Sequence, residues 1–177
     1  MESLRGKVYA VTGLAGIGLS VAKQLHSQGA LLSIADIDSS TLEHALAQLN
    51  SDSDRVLTTI ADIGSAASVN EWISRTVQRF GRLDGAANMA GVIGKSHGTG
   101  PLTEQDDDDW DRLVRVNLSG TMYCLRAQLR SIQATAGAGS IVTAASIQGL
   151  RGFGYHAAYV ATKHGVVGLT KIGRAHV

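Results

Sequence analysis

Tyr159 and Lys163 stand four positions apart, the spacing that puts two side chains on one face of a helix. A phenol with its ordinary pKa of about 10 is a poor base at neutral pH. An ammonium beside a phenol favours the phenolate, and such a pair can take a proton from an alcohol or return one to a carbonyl. Ser146 follows the apolar run Ser140 to Ala145, and its hydroxyl can hydrogen-bond the same oxygen and hold it in line. These three residues point to proton transfer at a carbon-bound oxygen.

A second group can hold phosphate. Thr12-Gly-Leu-Ala-Gly-Ile-Gly18 follows a short apolar run and opens a helical pattern. Gly13, Gly16 and Gly18 let the backbone turn sharply and let a pyrophosphate come close. The helix start, at Ile17 and Gly18, supplies free N–H groups and the positive end of a dipole. Asp36 lies 18 residues beyond Gly18, at the end of the next apolar run, where a carboxylate can accept hydrogen bonds from ribose hydroxyls. The same charge repels a 2′-phosphate. No Arg or Lys stands in the loop or just after Asp36, so NAD is expected in preference to NADP. With a nicotinamide bound, the Tyr, Lys and Ser set would serve hydride transfer at an alcohol or ketone carbon.

Alternating elements must position these groups. Lys7–Thr12 and Ala30–Ala35 read as buried strands, and Arg55–Ala61, Leu83–Asn88 and Ser140–Ala145 as three further strands. Ile17, Val21, Ala22 and Leu25 fall on one face of a first helix, which Gly29 stops. Leu42, Ala45, Leu46 and Leu49 mark a second, with Ser39 or Ser40 as its cap. Val69, Ile73, Val77 and Phe80 mark a third, stopped by Gly81. After a glycine-rich loop from Gly91 to Gly100, a long helical region runs from about Thr103 to Ser131, and a last helix begins near His156. This alternation predicts an α/β fold, a doubly wound parallel sheet with helices on both faces.

Those motifs resemble the classical short-chain dehydrogenases/reductases over most of the chain, from about Lys7 to Lys171. The resemblance implies a Rossmann-type three-layer α/β/α fold and an oxidoreductase acting with NAD(H) on a secondary alcohol or ketone. The family's glycine motif is T-G-x-x-x-G-x-G, and Thr12 to Gly18 is one residue shorter, which implies a re-registered turn or weaker phosphate binding. Asp62-Ile63 matches the acidic pair that contacts the adenine. Asn88-Met89-Ala90-Gly91 resembles the N-N-A-G element, so Asn88, Ala90 and Gly91 are expected to support the sheet and border the cofactor. Asn117 corresponds to the helix asparagine that anchors a water in a proton relay. Ser146 precedes Tyr159 by 13 residues, as in the family, and Lys163 is expected to hold the nicotinamide ribose as well. Gln148 falls where substrate-facing side chains are found, and Tyr155 reads as lining the pocket or packing. The resemblance also implies a homotetramer or homodimer of the full-length protein, built on the long helix and the catalytic helix.

Composition excludes other classes. Sixteen basic and 15 acidic residues leave a net charge of +1, with no basic stripe for nucleic acid and no pull toward an anionic membrane. Hydrophobic residues at 44% and charged ones at 18% describe a chain that folds around a core. The single Cys124 rules out an internal disulfide framework or a Cys-rich zinc site, and no metal is expected. No apolar run is long enough for a span and no signal pattern opens the chain, so a soluble cytoplasmic protein is expected. The acidic run Asp106 to Asp109 reads as a solvated helix start. His156, His164, Trp72 and Trp110 read as packing or surface residues.

The family continues past the catalytic helix with a sixth strand, a substrate loop and a seventh strand. Here Ile172-Gly-Arg-Ala-His-Val177 follows instead, a hexapeptide that resembles a sequencing adapter read in one frame. Residues 1–171 are therefore expected to be an incomplete NAD(P)-binding Rossmann domain lacking the last strands, and 172–177 a non-native tail. A catalytically inactive dinucleotide-binding fragment or sensor is the alternative to an active enzyme.

Overall fold

Five apolar runs become strands: β1 (Val8–Thr12), β2 (Leu31–Asp36), β3 (Val56–Ile60), β4 (Gly85–Asn88) and β5 (Ser140–Thr143). The structure, a computed structural model, describes residues 4–95 and 97–173. All five strands pair in parallel in one sheet of order β3-β2-β1-β4-β5. Thr12 is opposite both Ala35 and Asn88, and Asn88 is opposite Thr143. The carboxyl ends of the strands are therefore level, and the chain reverses its winding between β1 and β4. A crevice at that reversal is where doubly wound sheets bind ligands.

The helices are α1 (Ile17–Ser27), α2 (Ser39–Gln48), α3 (Ala66–Phe80), α4 (Asp107–Leu113), α5 (Thr121–Thr135) and α6 (Ala157–Gly173). Alternate strand residues feed two cores. Val8 and Ala10 join Val69, Trp72, Ile73, Cys124 and Ile132 on the α3 and α5 side. Val11, Leu32 and Ile34 join Ala22, Leu42, Ala45 and Leu49 on the α1 and α2 side. Trp72 is fully buried, and its indole N–H donates to Ser33 Oγ at 2.9 Å.

The helix boundaries differ from expectation at four points, each with a local cause. Ile17 does not join the buried face of α1; it is 72% exposed, because the first helical residue stands over the crevice and not under the sheet. Asp38, one residue ahead of Ser39 and Ser40, caps α2, its carboxylate accepting the Ser40 N–H at 2.7 Å. The hydrogen bond to Ser40 leads the effects that hold this exposed carboxyl below the usual range. The long helical region is interrupted: a 3₁₀ turn at Leu102–Glu104 precedes α4, and a π-helical stretch, Val114–Gly120, joins α4 to α5. The acidic run does start a helix, with Asp106 accepting the Asp109 N–H, but Asp109 itself is 2% exposed and not solvated.

β5 is an edge strand, and Val142 on it is exposed. Ile172 and Gly173 continue the last turn of α6, and the remaining residues of the expected tail lie outside the described residues. Among the described residues, no helix is long and apolar enough to cross a membrane, and no His, Cys, Asp and Glu cluster is arranged to hold a metal ion.

Candidate active site

The glycine turn sits where β1 ends and α1 begins. Gly13 has a φ of +76°, and a Cβ there would lie 2.6 Å from the Ala90 nitrogen, so only glycine fits between β1 and the strand end at β4. Thr12 Oγ1 accepts the N–H groups of both Met89 and Ala90 at 3.2 Å, which ties the same two strand ends together. Leu14 turns into the core, and its N–H donates to Asp36 Oδ2 at 2.8 Å. This contact closes the short turn: the carboxylate at the end of β2 takes up a backbone donor of the loop. Gly16 ends the turn with no side-chain cap on α1, so the N–H groups of the first helical turn stay available to an anion.

These residues line one cleft of about 500 Å³, within the range of small-molecule and cofactor sites. Gly13, Gly16, Ile17, Gly18, Asp36, Asp62, Ile63, Ala90 and Gly91 all contribute to its wall. A glycine cradle, uncapped helix donors and a carboxylate at the β2 end fit the adenosine and pyrophosphate parts of a dinucleotide. Asn88, expected at the cofactor border, is not among the lining residues. It is buried, and its amide exchanges two hydrogen bonds of 2.8 Å with the amide of Gln128 on α5.

Two cations reach the cleft that local sequence did not announce, Arg112 and Arg115. Neither lies near the glycine loop in the chain. Arg115 is paired with Asp62 at 2.8 Å, and Asp62 also accepts the Gly64 N–H. Arg112 bridges buried Asp109 and the Ile93 carbonyl. Burial pushes the Asp109 carboxyl up, but the Arg112 hydrogen bond and the Lys95 N–H outweigh it and hold the group below its ordinary value.

The second set of residues meets the cleft at Gly91. A Cβ on Gly91 would lie 3.2 Å from Asn117 Oδ1 and 3.5 Å from Lys163 Nζ. Asn117 comes from the π-helical stretch, a local unwinding that often marks functional positions. Its carbonyl accepts the Thr121 hydroxyl at 2.7 Å. Lys163 is buried on α6, donates to the Ala144 carbonyl at 2.9 Å and has its nitrogen 5.5 Å from the centroid of the Tyr159 ring. Burial holds the Lys163 ammonium below its ordinary pKa. Ser146 caps the 3₁₀ turn Ile147–Gly149, its Oγ accepting the Gln148 N–H at 3.2 Å. That turn packs on α6 through Gly149, where a Cβ would lie 2.7 Å from the Lys163 carbonyl. Gln148 Nε2 is 2.7 Å from His156 Nδ1. Tyr155 is exposed, with a φ of +64°. His164 is an exposed residue whose ring nitrogen reaches the Val160 carbonyl.

Sequence reading missed Gln128, Thr12, Asp109 and the two arginines as structural supports of this region. Asp109 and Arg112 pair with each other at i and i+3, but the other partners are 14 to 78 residues away, beyond any local pattern.

The chain is similar to known proteins over nearly its whole length. The short chain dehydrogenase family matches residues 7–176. The "Short-chain dehydrogenase/reductase ABA4" of Pyricularia oryzae is 54% identical over 170 residues, covering 95% of this chain and 62% of that protein. The crystal structure of levodione reductase superposes with a TM-score of 0.89 at 37% identity, covering 96% of this chain and 65% of the other. The structure of NAD+-bound xylitol dehydrogenase gives a TM-score of 0.89 at 30% identity, covering 97% and 65%. The chain thus spans less than two thirds of the length of these proteins.

Proposed function

This chain belongs to the short-chain dehydrogenase/reductase family, and we propose that the whole protein transfers a hydride between NAD(H) and a secondary alcohol or ketone, with Tyr159 as general acid/base. The observation that carries this reading is the meeting at Gly91: the glycine lines the dinucleotide cleft, and its bare side faces Asn117 Oδ1 and Lys163 Nζ.

In this reading Gly13, Gly16, Ile17 and Gly18 bind the pyrophosphate against the N-terminus of α1, and Asp36 takes the adenosine ribose hydroxyls. Asp62, Ile63 and Ala90 flank the adenine. Bound nicotinamide supplies the hydride acceptor or donor. Tyr159 moves the proton at the substrate oxygen. Lys163 holds a positive charge beside the phenol ring, which favours the phenolate, and reaches the ribose next to Gly91. Ser146 orients the substrate oxygen. Gln148 and Tyr155 flank the substrate. Asn117 holds the cleft wall, and its carbonyl is the anchor for a proton route. The partners are a small alcohol or ketone and further copies of the protein, as a dimer or tetramer. NAD is favoured over NADP because the Asp36 carboxylate opposes a 2′-phosphate.

A non-catalytic dinucleotide-binding role is the second reading, favoured by the glycine turn from Thr12 to Gly18, which is one residue shorter than the family's motif. Tyr159→Phe separates the two. The enzyme reading expects NADH binding to persist, measured by fluorescence, while turnover on a panel of secondary alcohols and ketones falls by about 10²–10⁴-fold. Binding with no Tyr159-dependent turnover in the restored full-length protein would establish the second.

A further inference from the structure

The loop between β4 and α4 reaches the catalytic helix through a histidine pair that the proposed reaction does not use. The ring centroids of His97 and His156 are 3.9 Å apart, inclined at 51°. The His97 ring also meets the Tyr159 ring edge-on, at 5.2 Å between centroids. Next to it, the Gly98 N–H donates to the Tyr155 carbonyl at 2.9 Å. Gly98 has a φ of +83°, and a Cβ there would lie 3.2 Å from His156 Nε2. A backbone hydrogen bond and a tilted imidazole contact thus seat the loop at the start of α6, both within four residues of Tyr159. His156 is fixed from the other side by Gln148, at 2.7 Å from its Nδ1.

We propose that His97 and His156 form a positioning pair for Tyr159, one that seats this loop on the catalytic helix only while the pair carries at most one positive charge. The proposal rests on the reading of Tyr159 as the proton-transfer residue. Two imidazolium rings at this separation repel. With one or both rings neutral they pack together, and the edge contact limits the tilt of the Tyr159 ring. Protonation of both drives the loop from α6, opens the Gly98 to Tyr155 hydrogen bond and leaves Tyr159 unsupported.

The surroundings agree with this direction. The titratable and charged groups around His97 are His156 and Tyr159, Tyr155 at the turn before α6, and Asp109 from α4, which line one small cavity with it. Asp109 is already engaged by Arg112 and by the Lys95 N–H, so it is not a free counter-ion for a second imidazolium. Lys163 lies beyond Tyr159 and adds positive charge. Burial, and then the charge of His156, hold His97 below its ordinary value. A histidine with a lowered folded pKa supports the closed loop fully above about pH 6.5 and progressively less as pH falls toward the folded value.

The test is an NMR titration of the histidine ring protons in the chain and in His97→Gln and His156→Gln, with the Tyr159 ring signals followed in the same samples. The proposal expects His97 to titrate below about 6.5 and its midpoint to rise in His156→Gln. Tyr159 ring signals should shift with the His97 midpoint and lose that inflection in His97→Gln. In the full-length protein, the acid limb of kcat/KM should flatten in His97→Gln. A His97 midpoint indifferent to His156, or Tyr159 signals indifferent to His97, would overturn the proposal. The ring titration needs no turnover, so it can fail while Tyr159→Phe still abolishes turnover. It can also succeed while Tyr159→Phe turns over normally, in which case the hydride-transfer reading is the one lost.

Discussion

Asn117 clasps the peptide groups of Val92 from both sides: its Oδ1 accepts the Val92 N–H at 2.8 Å and its Nδ2 donates to the Val92 carbonyl at 2.9 Å. The side chain is therefore used in holding the strand-end loop against the π-helical stretch. The Asn117 backbone carbonyl accepts the Thr121 hydroxyl, which ties the stretch to the start of α5. Asn117→Ala should cost about 1–3 kcal/mol of stability, because two partly buried backbone groups lose their partner. Urea unfolding of the variant checks this. NADH affinity should fall with it, since Gly91 adjoins the clasp.

Asn88 and Gln128 form a closed amide pair inside the protein. Removing either leaves the other buried and unsatisfied. Asn88→Ala and Gln128→Ala should each destabilise by about 1–3 kcal/mol, while the double variant should cost clearly less than their sum. Additive losses in a double-mutant cycle would mean that the pair is not coupled.

The sheet was legible because each strand is a compact apolar run with a glycine or polar stop. Gly81 at a φ of +78° and Gly29 at +89° stop their helices as glycines do. The crevice was legible because glycine spacing is a local signal. What could not be read locally was set by distant partners. Ile17 carries the period of a core residue, but it stands at the helix start over the crevice, where no strand covers it. Asp109 looks like one more acid in a solvated run, yet the Lys95 N–H and Arg112 draw it inside. Asn88 belongs to a motif expected to border the cofactor, and the amide across from it on α5 decides where its side chain points.

Asp36 has two tasks in the structure and the proposed function: its Oδ2 ties down the Leu14 N–H, and its charge disfavours a 2′-phosphate. Asp36→Asn keeps an acceptor for Leu14 but removes the charge. The expected outcome is NADH binding weaker by a factor on the order of 10, the equivalent of about 1.4 kcal/mol, with the gap between NADH and NADPH narrowed. Fluorescence titrations with both cofactors measure this. A gap that stays as wide would show that something other than Asp36 excludes the phosphate.

Lys163 links pH to stability and to the proposed activity with opposite signs. Burial lowers its pKa in the folded chain relative to the unfolded one. Between the folded value and about 10.4, the unfolded chain holds a proton that the folded chain has released, so this residue's contribution to stability rises with pH across that window. The proposed reaction needs the ammonium, so turnover should fall as pH climbs through the same window. Lys163→Arg keeps the cation at every accessible pH, and its alkaline limb of kcat/KM should move to higher pH even if the rate itself drops. Lys163→Met should flatten the alkaline rise in stability and remove most turnover. A parent enzyme whose alkaline limb stays in place in Lys163→Arg would show that a group other than Lys163 titrates there.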